Sequence, residues 1–297
     1  MGRTVLLLLV ALIGVLSLSA LLTYLLVGHG GTFGIGEGVA VLEIHGTIGS
    51  SSDPGLLGEE GTTPQGFKEL LKRAEGDRSV KAILIDINSP GGSVVASEEI
   101  AQAVKDAKKP TVAWLNEIAA SGGYYVASSA DYIVADRASI TGSIGVISVF
   151  PEYSRLLEKL GVNMTVVKGG EYKDFSSGFR PMRPEEREMM ENVTMELYDQ
   201  FIGDVAINRN LSKEYVRQVA EGKIYTGPRA KELGLVDEVG SRDRALEEAA
   251  RLGNITGEPE VVTYRRRAFL MDFVGVASVN FGYGMAKGLL EGTRPRY

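Results

Sequence analysis

The chain opens on an unbroken apolar stretch, residues 5–27, built mainly from Leu, Val, Ala and Ile and free of charge. As a helix it would span about 35 Å, enough for a hydrocarbon core of about 30 Å. The apolar core of a cleavable leader runs to about 7–15 residues, so the pattern predicts an uncleaved transmembrane signal anchor over residues 1–28. Arg3 and the amino terminus are the nearby positive charges. They predict a cytoplasmic start in the cell membrane, a single pass, and a body outside the cytoplasm. Glycines at 28, 30, 31, 34, 36 and 38 follow, and residues 29–37 read as a flexible tether.

Beyond the tether, short apolar runs alternate with helical periodicity. Residues 39–44 and the β-branched run 80–87 predict strands, as do 111–115 and 132–134. Thr63 followed by Pro64 predicts a helix start, with the helix running to about residue 75. Further helices are expected over 94–108, 122–129 and 151–160, and a long amphipathic one over 184–208. Residues 144–149 and 164–167 read as two more strands. Strand and helix alternation of this kind predicts an α/β fold with a largely parallel sheet. The body closes at about residue 255. In the remaining 256–297, residues 269–290 are apolar but carry Asp272 and Lys287, which favours an amphipathic helix on a membrane or a neighbouring subunit over a second span.

Composition narrows the chemistry. Of 297 residues none is cysteine, so disulfides, thiolate metal sites and cysteine nucleophiles are excluded. The net charge of −6 and the lack of a long basic run argue against a nucleic-acid partner. The two histidines, His29 and His45, leave little room for a zinc site or a Ser-His-Asp triad. His45 continues an alternating strand and reads as a structural or surface residue. A nucleophilic serine here must find another base.

Two glycine-rich turns stand where strands end and helices begin: Ser89-Pro90-Gly91-Gly92-Ser93 and Ala120-Ser121-Gly122-Gly123. The carboxyl ends of strands are where α/β sheets bind ligands. Glycine lets backbone N–H groups approach a substrate, and a helix amino terminus favours a developing oxyanion. Without histidine, lysine is the leading base for a serine hydroxyl, provided its amine loses a proton near neutral pH. Spacing alone leaves Lys168, Lys173 and other lysines open.

The run Ala120-Ser121-Gly122-Gly123-Tyr124-Tyr125, then Thr141-Gly142-Ser143-Ile144-Gly145-Val146 and Gly170-Glu171-Tyr172-Lys173-Asp174, resembles the signal peptide peptidase A family of membrane-bound Ser-Lys peptidases. Ser89-Pro90-Gly91-Gly92 and Ile224-Tyr225-Thr226-Gly227 with Gly234-Leu235-Val236-Asp237 match as well. The likeness covers about residues 38–252, as one peptidase unit of the short form. It implies Ser121 as nucleophile, Lys173 as general base and Ser143 as the residue positioning the lysine amine. Gly91 and Gly122 would form the oxyanion hole, with Gly92 the alternative to Gly91. The implied fold is the ClpP–crotonase type of repeated ββα units, here a peptidase domain over 38–255, assembled as a homo-oligomeric ring. The implied substrates are apolar peptides such as remnant signal peptides, cut without metal or organic cofactor. Asp174 and Glu171 flank Lys173, and either would disable the base if it reached the amine. An acyl-CoA enzyme would share the oxyanion geometry but relies on pocket carboxylates; a catalytically silent scaffold would need no base.

Overall fold

The computed structural model describes residues 37–50 and 61–265, together with the isolated positions Gly14 and Ser17. Apart from those two positions the expected anchor lies outside the described residues, as do nearly all of the tether, His29 and the amphipathic stretch 269–290. Among the described residues no helix is long and apolar enough to cross a membrane.

The chain folds around one eight-stranded sheet. Strands β1 (Gly38–His45), β2 (Val80–Ser89), β3 (Thr111–Ala120), β4 (Tyr132–Ala135) and β5 (Ile140–Gly142) come first, followed by β6 (Ile224–Thr226), β7 (Glu238–Val239) and β8 (Glu260–Tyr264). The order runs β6-β5-β3-β2-β1-β8, with β4 pairing β3 and β7. Every pairing is parallel except β5 with β6. Strands buried on both faces read as continuous apolar runs rather than alternating ones, and β1 and β2 show it. Ala40, Leu42, Ile83, Ile85 and Ile87 enter the larger core on one face. Val39, Val41, Ala82 and Leu84 enter a smaller core on the other.

Helices cover both faces. On the larger core lie α1 (Pro64–Gly76), α2 (Val94–Lys105) and α3 (Gly122–Ser128), through Phe67, Leu70, Ile100, Val104, Tyr124 and Val126 among others. Thr63 caps α1 by accepting from Gly66 N at 3.2 Å, and Ser93 caps α2 by accepting from Ala96 N at 3.4 Å. After the short α4 (Ser154–Lys159) comes α5 (Pro184–Asn208), then α6 (Lys213–Val219) and α7 (Gly227–Glu232). The second face is closed by α8 (Arg242–Leu252), through Ala245 and Ala249. A polar stitch holds α3 down: the buried Tyr124 hydroxyl donates to Leu235 O at 2.8 Å, and Arg209 grips both oxygens of Asp237.

Four expectations need correction. Residues 144–149 and 164–167 are not strands. Ile144 is buried, but Ile147, Val149 and Val167 are 87%, 75% and 94% exposed, and a β-prone run with no strand beside it gains nothing from extending. The helix expected over 151–160 is the single turn and a half of α4. The long helix α5 has the expected ends but is not amphipathic throughout. Its second half packs through Phe201, Ile202, Val205 and Ala206, while in the first half Glu186 alone is buried. The sheet also runs past residue 255, since β8 pairs β1 in parallel up to Leu42 with Tyr264.

Candidate active site

Ser121 stands between β3 and α3, at the carboxyl end of a central strand. Its backbone is held at φ 52°, ψ −120°, a conformation that side-chain-bearing residues adopt rarely and at a cost of about 1–3 kcal/mol. Two contacts pin this turn. Ser121 N donates to Gly142 O at 2.9 Å, and Tyr125 N returns to Ser121 O at 2.8 Å. The hydroxyl does not cap its helix and makes no hydrogen bond among the described residues. A sharp strand-to-helix turn that presents an unengaged serine hydroxyl is how α/β hydrolases expose a nucleophile.

The Ser89–Ser93 loop packs directly on this turn. A Cβ on Gly91 would lie 2.6 Å from Gly122 N and 2.9 Å from Ser121 Cβ, and Gly91 itself has φ +99°. This position accepts only glycine, for contact as much as for conformation. Ile48 clamps the loop from below: its N donates to Gly91 O at 2.9 Å and its O accepts from Ser93 N at 2.8 Å. The two candidate loop donors are not equivalent. Gly91 N already donates to Ser89 Oγ at 3.1 Å, whereas Gly92 N and Gly122 N have no acceptor among the described residues. Gly92, Ser121 and Gly122 line one cavity with Val94, Ser97, Tyr125, Gly145, Val146, Leu197, Gln200 and Phe201; Gly91 does not reach it.

The remaining candidates are placed differently. Ser143 follows β5 with φ 51°, its N donating to Lys223 O at 2.7 Å, half-buried and two residues before the cavity-lining Gly145. Lys173 lies in a turn-rich stretch over 169–180 and is exposed. It does not line the Ser121 cavity, and it makes no hydrogen bond to Ser121 or Ser143. Lys168 is engaged elsewhere, its Nζ 2.6 Å from Asp174 Oδ1. The isolated chain therefore brings Ser121, Gly92 and Gly122 together, with Gly91 as their spacer, and leaves Lys173 apart. His45 is 3.6 Å from Asp86, the carboxylate that is the main cause raising the imidazole pKa, and it stands outside the cavity.

The model of Peptidase family S49 matches residues 103–256, just over half of the chain. The chain belongs to this family. A candidate protease of Methanocaldococcus jannaschii is 40% identical over 96% of this chain and 92% of its own length. A candidate signal peptide peptidase of Enterococcus faecium is 36% identical over 84% of this chain and 72% of its own. Protease 4 of Haemophilus influenzae is 35% identical over 81% of this chain, which spans only 39% of that longer protein. Among solved structures, an alanine variant of the 1510-N membrane-bound stomatin-specific protease superposes with a TM-score of 0.54 at 16% identity. It covers 78% of this chain and 99% of its own, a likeness that speaks to the α/β fold.

A member of this family is a peptidase of serine type, and the cavity beside Ser121 suits one. Its volume is ≈ 30 Å³, a small hollow. A larger cavity of ≈ 650 Å³ lies between residues 146–182 and α5, lined by Phe150, Phe175, Met182, Met190 and Met195, and does not contain Ser121. Sequence reading missed the walls of the small cavity. Ser97 is buried beneath Gly122, its Oγ donating to Ser93 O at 2.9 Å. Tyr125 closes the far side, its hydroxyl donating to the Asp204 carboxylate. Burial, and then that bond, push the phenol far above its ordinary pKa, so it stays a donor. The spacing of Ser93 and Ser97, one turn apart on the helix following the Gly-Gly loop, was the one available signal for the first of these.

Proposed function

We propose that this chain is a membrane-anchored serine endopeptidase that hydrolyses cleaved signal peptides and other apolar peptides through an acyl-enzyme. Ser121 is the nucleophile and Lys173 the general base. The observation that carries the proposal is the strained turn at Ser121, whose free hydroxyl shares a cavity with two backbone N–H groups that lack acceptors.

The proposed steps combine that arrangement with Lys173 as the base. Ser121 Oγ attacks the scissile carbonyl carbon as its proton passes to Lys173 Nζ. The carbonyl oxygen, now negative, accepts from Gly92 N and Gly122 N, where preorganised donors are most effective. Gly91 acts as the spacer that keeps these donors open. Collapse breaks the C–N bond, and Lys173 returns the proton to the departing amine. Water then attacks the ester, losing its proton to Lys173, and the acid leaves as Ser121 Oγ regains a proton. No cofactor enters these steps.

The base must be neutral before it acts, which requires its amine to leave water. Lys173 is exposed in the isolated chain, so its pairing with Ser121, with Ser143 positioning the amine, is completed on assembly into a homo-oligomeric ring. The exposed apolar side chains Ile147, Val149, Leu156, Leu160 and Val167 support that reading, since such a surface calls for cover. The separation of Lys173 from Ser121 also favours a second reading, a catalytically silent scaffold that binds peptides. The full chain in detergent micelles, given an uncharged apolar peptide and a charged soluble one of equal length, discriminates. Faster cleavage of the apolar peptide is expected; preference for the charged peptide, or no cleavage of either by folded protein, overturns the assignment.

A further inference from the structure

The turn carrying Lys173 is surrounded by charged side chains that bind one another and not the lysine. Lys168 Nζ donates to Asp174 Oδ1 at 2.6 Å and to Glu171 O at 2.8 Å. Arg180 donates to both oxygens of Asp174, at 3.0 and 2.7 Å, and to both oxygens of Glu186, at 2.8 and 2.6 Å. Arg183 donates to Glu186 Oε1 at 2.7 Å and Glu171 Oε1 at 2.9 Å, with Glu185 3.4 Å from its Nε and the ring of Tyr172 beneath it. The side chain of Glu186 is fully buried and that of Asp174 is 10% exposed.

The acids nearest Lys173 in sequence are thus both occupied: Asp174 by Lys168 and Arg180, Glu171 by Arg183. Lys173 makes no ion pair among the described residues. The arrangement matters because a carboxylate within about 4–6 Å of an ammonium favours the charged form, and a protonated lysine cannot accept the serine proton. Arg180 first, and Lys168 second, hold the Asp174 carboxyl well below its ordinary range.

We infer that Lys168, Arg180 and Arg183 are positioning residues for the base, which sequester Asp174 and Glu171 so that Lys173 is free to act near neutral pH. The inference rests on the reading of Lys173 as that base. A merely structural network would shape the loop without touching the proton affinity of the site, and a pH profile separates the two roles.

The test is the pH dependence of kcat/KM on an apolar peptide, measured with the full-length assembled protein. Lys168→Met removes one of the two donors on Asp174 Oδ1, Arg180 keeping the other, and is expected to move the acid limb upward by up to about 1 pH unit. Adding Asp174→Asn to Lys168→Met is expected to bring the limb back to its parental position. A loss of activity with an unmoved limb, or a shift that Asp174→Asn does not reverse, overturns the inference. Lys168→Gln, which can still donate to the Glu171 carbonyl, serves if the methionine variant does not fold. Lys173→Ala is run beside these. If it keeps the parental activity and limb, the base assignment has failed, a result distinct from failure of the network.

Discussion

Ser121→Ala and Lys173→Ala are each expected to lower kcat/KM on an apolar peptide by about 10³-fold or more, with little change in thermal stability. Losing a nucleophile or its base typically costs this much. The unchanged stability follows from the structure. The Ser121 hydroxyl makes no hydrogen bond among the described residues, and alanine occupies the same backbone conformation as serine, so no contact seen there is lost. Lys173 is exposed and makes no ion pair among the described residues, the kind of position where substitutions stay within about 0.5 kcal/mol. Melting curves by circular dichroism and peptide cleavage, read side by side, check both halves. A Lys173→Ala variant with parental activity contradicts the assignment of the base. A parental protein that is itself inert on apolar peptides raises the scaffold reading above the peptidase one.

Gly91→Ala is expected to be nearly as damaging by a different route. Its methyl would lie 2.6 Å from Gly122 N and 2.9 Å from Ala120 O, with the backbone at φ +99°. The strained conformation alone costs about 1–3 kcal/mol. The contact then forces the two glycine loops apart, and losing alignment of one oxyanion donor costs about 10²–10³ in rate. Gly161→Ala is the control: it too has positive φ, at +71°, but nothing lies within 4 Å of its added Cβ. It is expected to show the conformational destabilisation without the loss of activity. Equal activity in the two variants would contradict the role given to the close approach of Gly91 and Gly122.

The central strands and their helices were legible because local signals and tertiary context agree there. The β-branched run in β2 needed no help from its surroundings, and Thr63-Pro64 and Ser93 start α1 and α2 as their side chains dictate. The edge of the sheet was not legible. Strands β5, β6 and β7 have three, three and two residues, too few for a period to register. They exist because β3 offers a neighbour to β5, β5 in turn to β6, and β4 to β7. The reverse failure occurred at 144–149 and 164–167, where β-forming residues found no neighbouring strand among the described residues.

The site divides in the same way. Two glycine turns at strand ends marked Ser121, Gly91, Gly92 and Gly122 as a group, and the structure places them in contact. Which glycine N–H is free was not legible, since it depends on Ser89 Oγ accepting a hydrogen bond from Gly91 N. Nor was the separation of Lys173 from Ser121, because motif spacing carries no information on where an exposed turn lies. The acids beside Lys173, a threat to the proposed base when read along the sequence, are paired in space with Lys168, Arg180 and Arg183.

The most direct test of the central claim is covalent labelling of the full-length assembled protein with a fluorophosphonate, the site read by peptide mass spectrometry. Phosphonylation of Ser121 Oγ is expected, with none in Ser121→Ala and strongly slowed labelling in Lys173→Ala. A label on another residue, or peptide cleavage that persists in Ser121→Ala, would contradict the account.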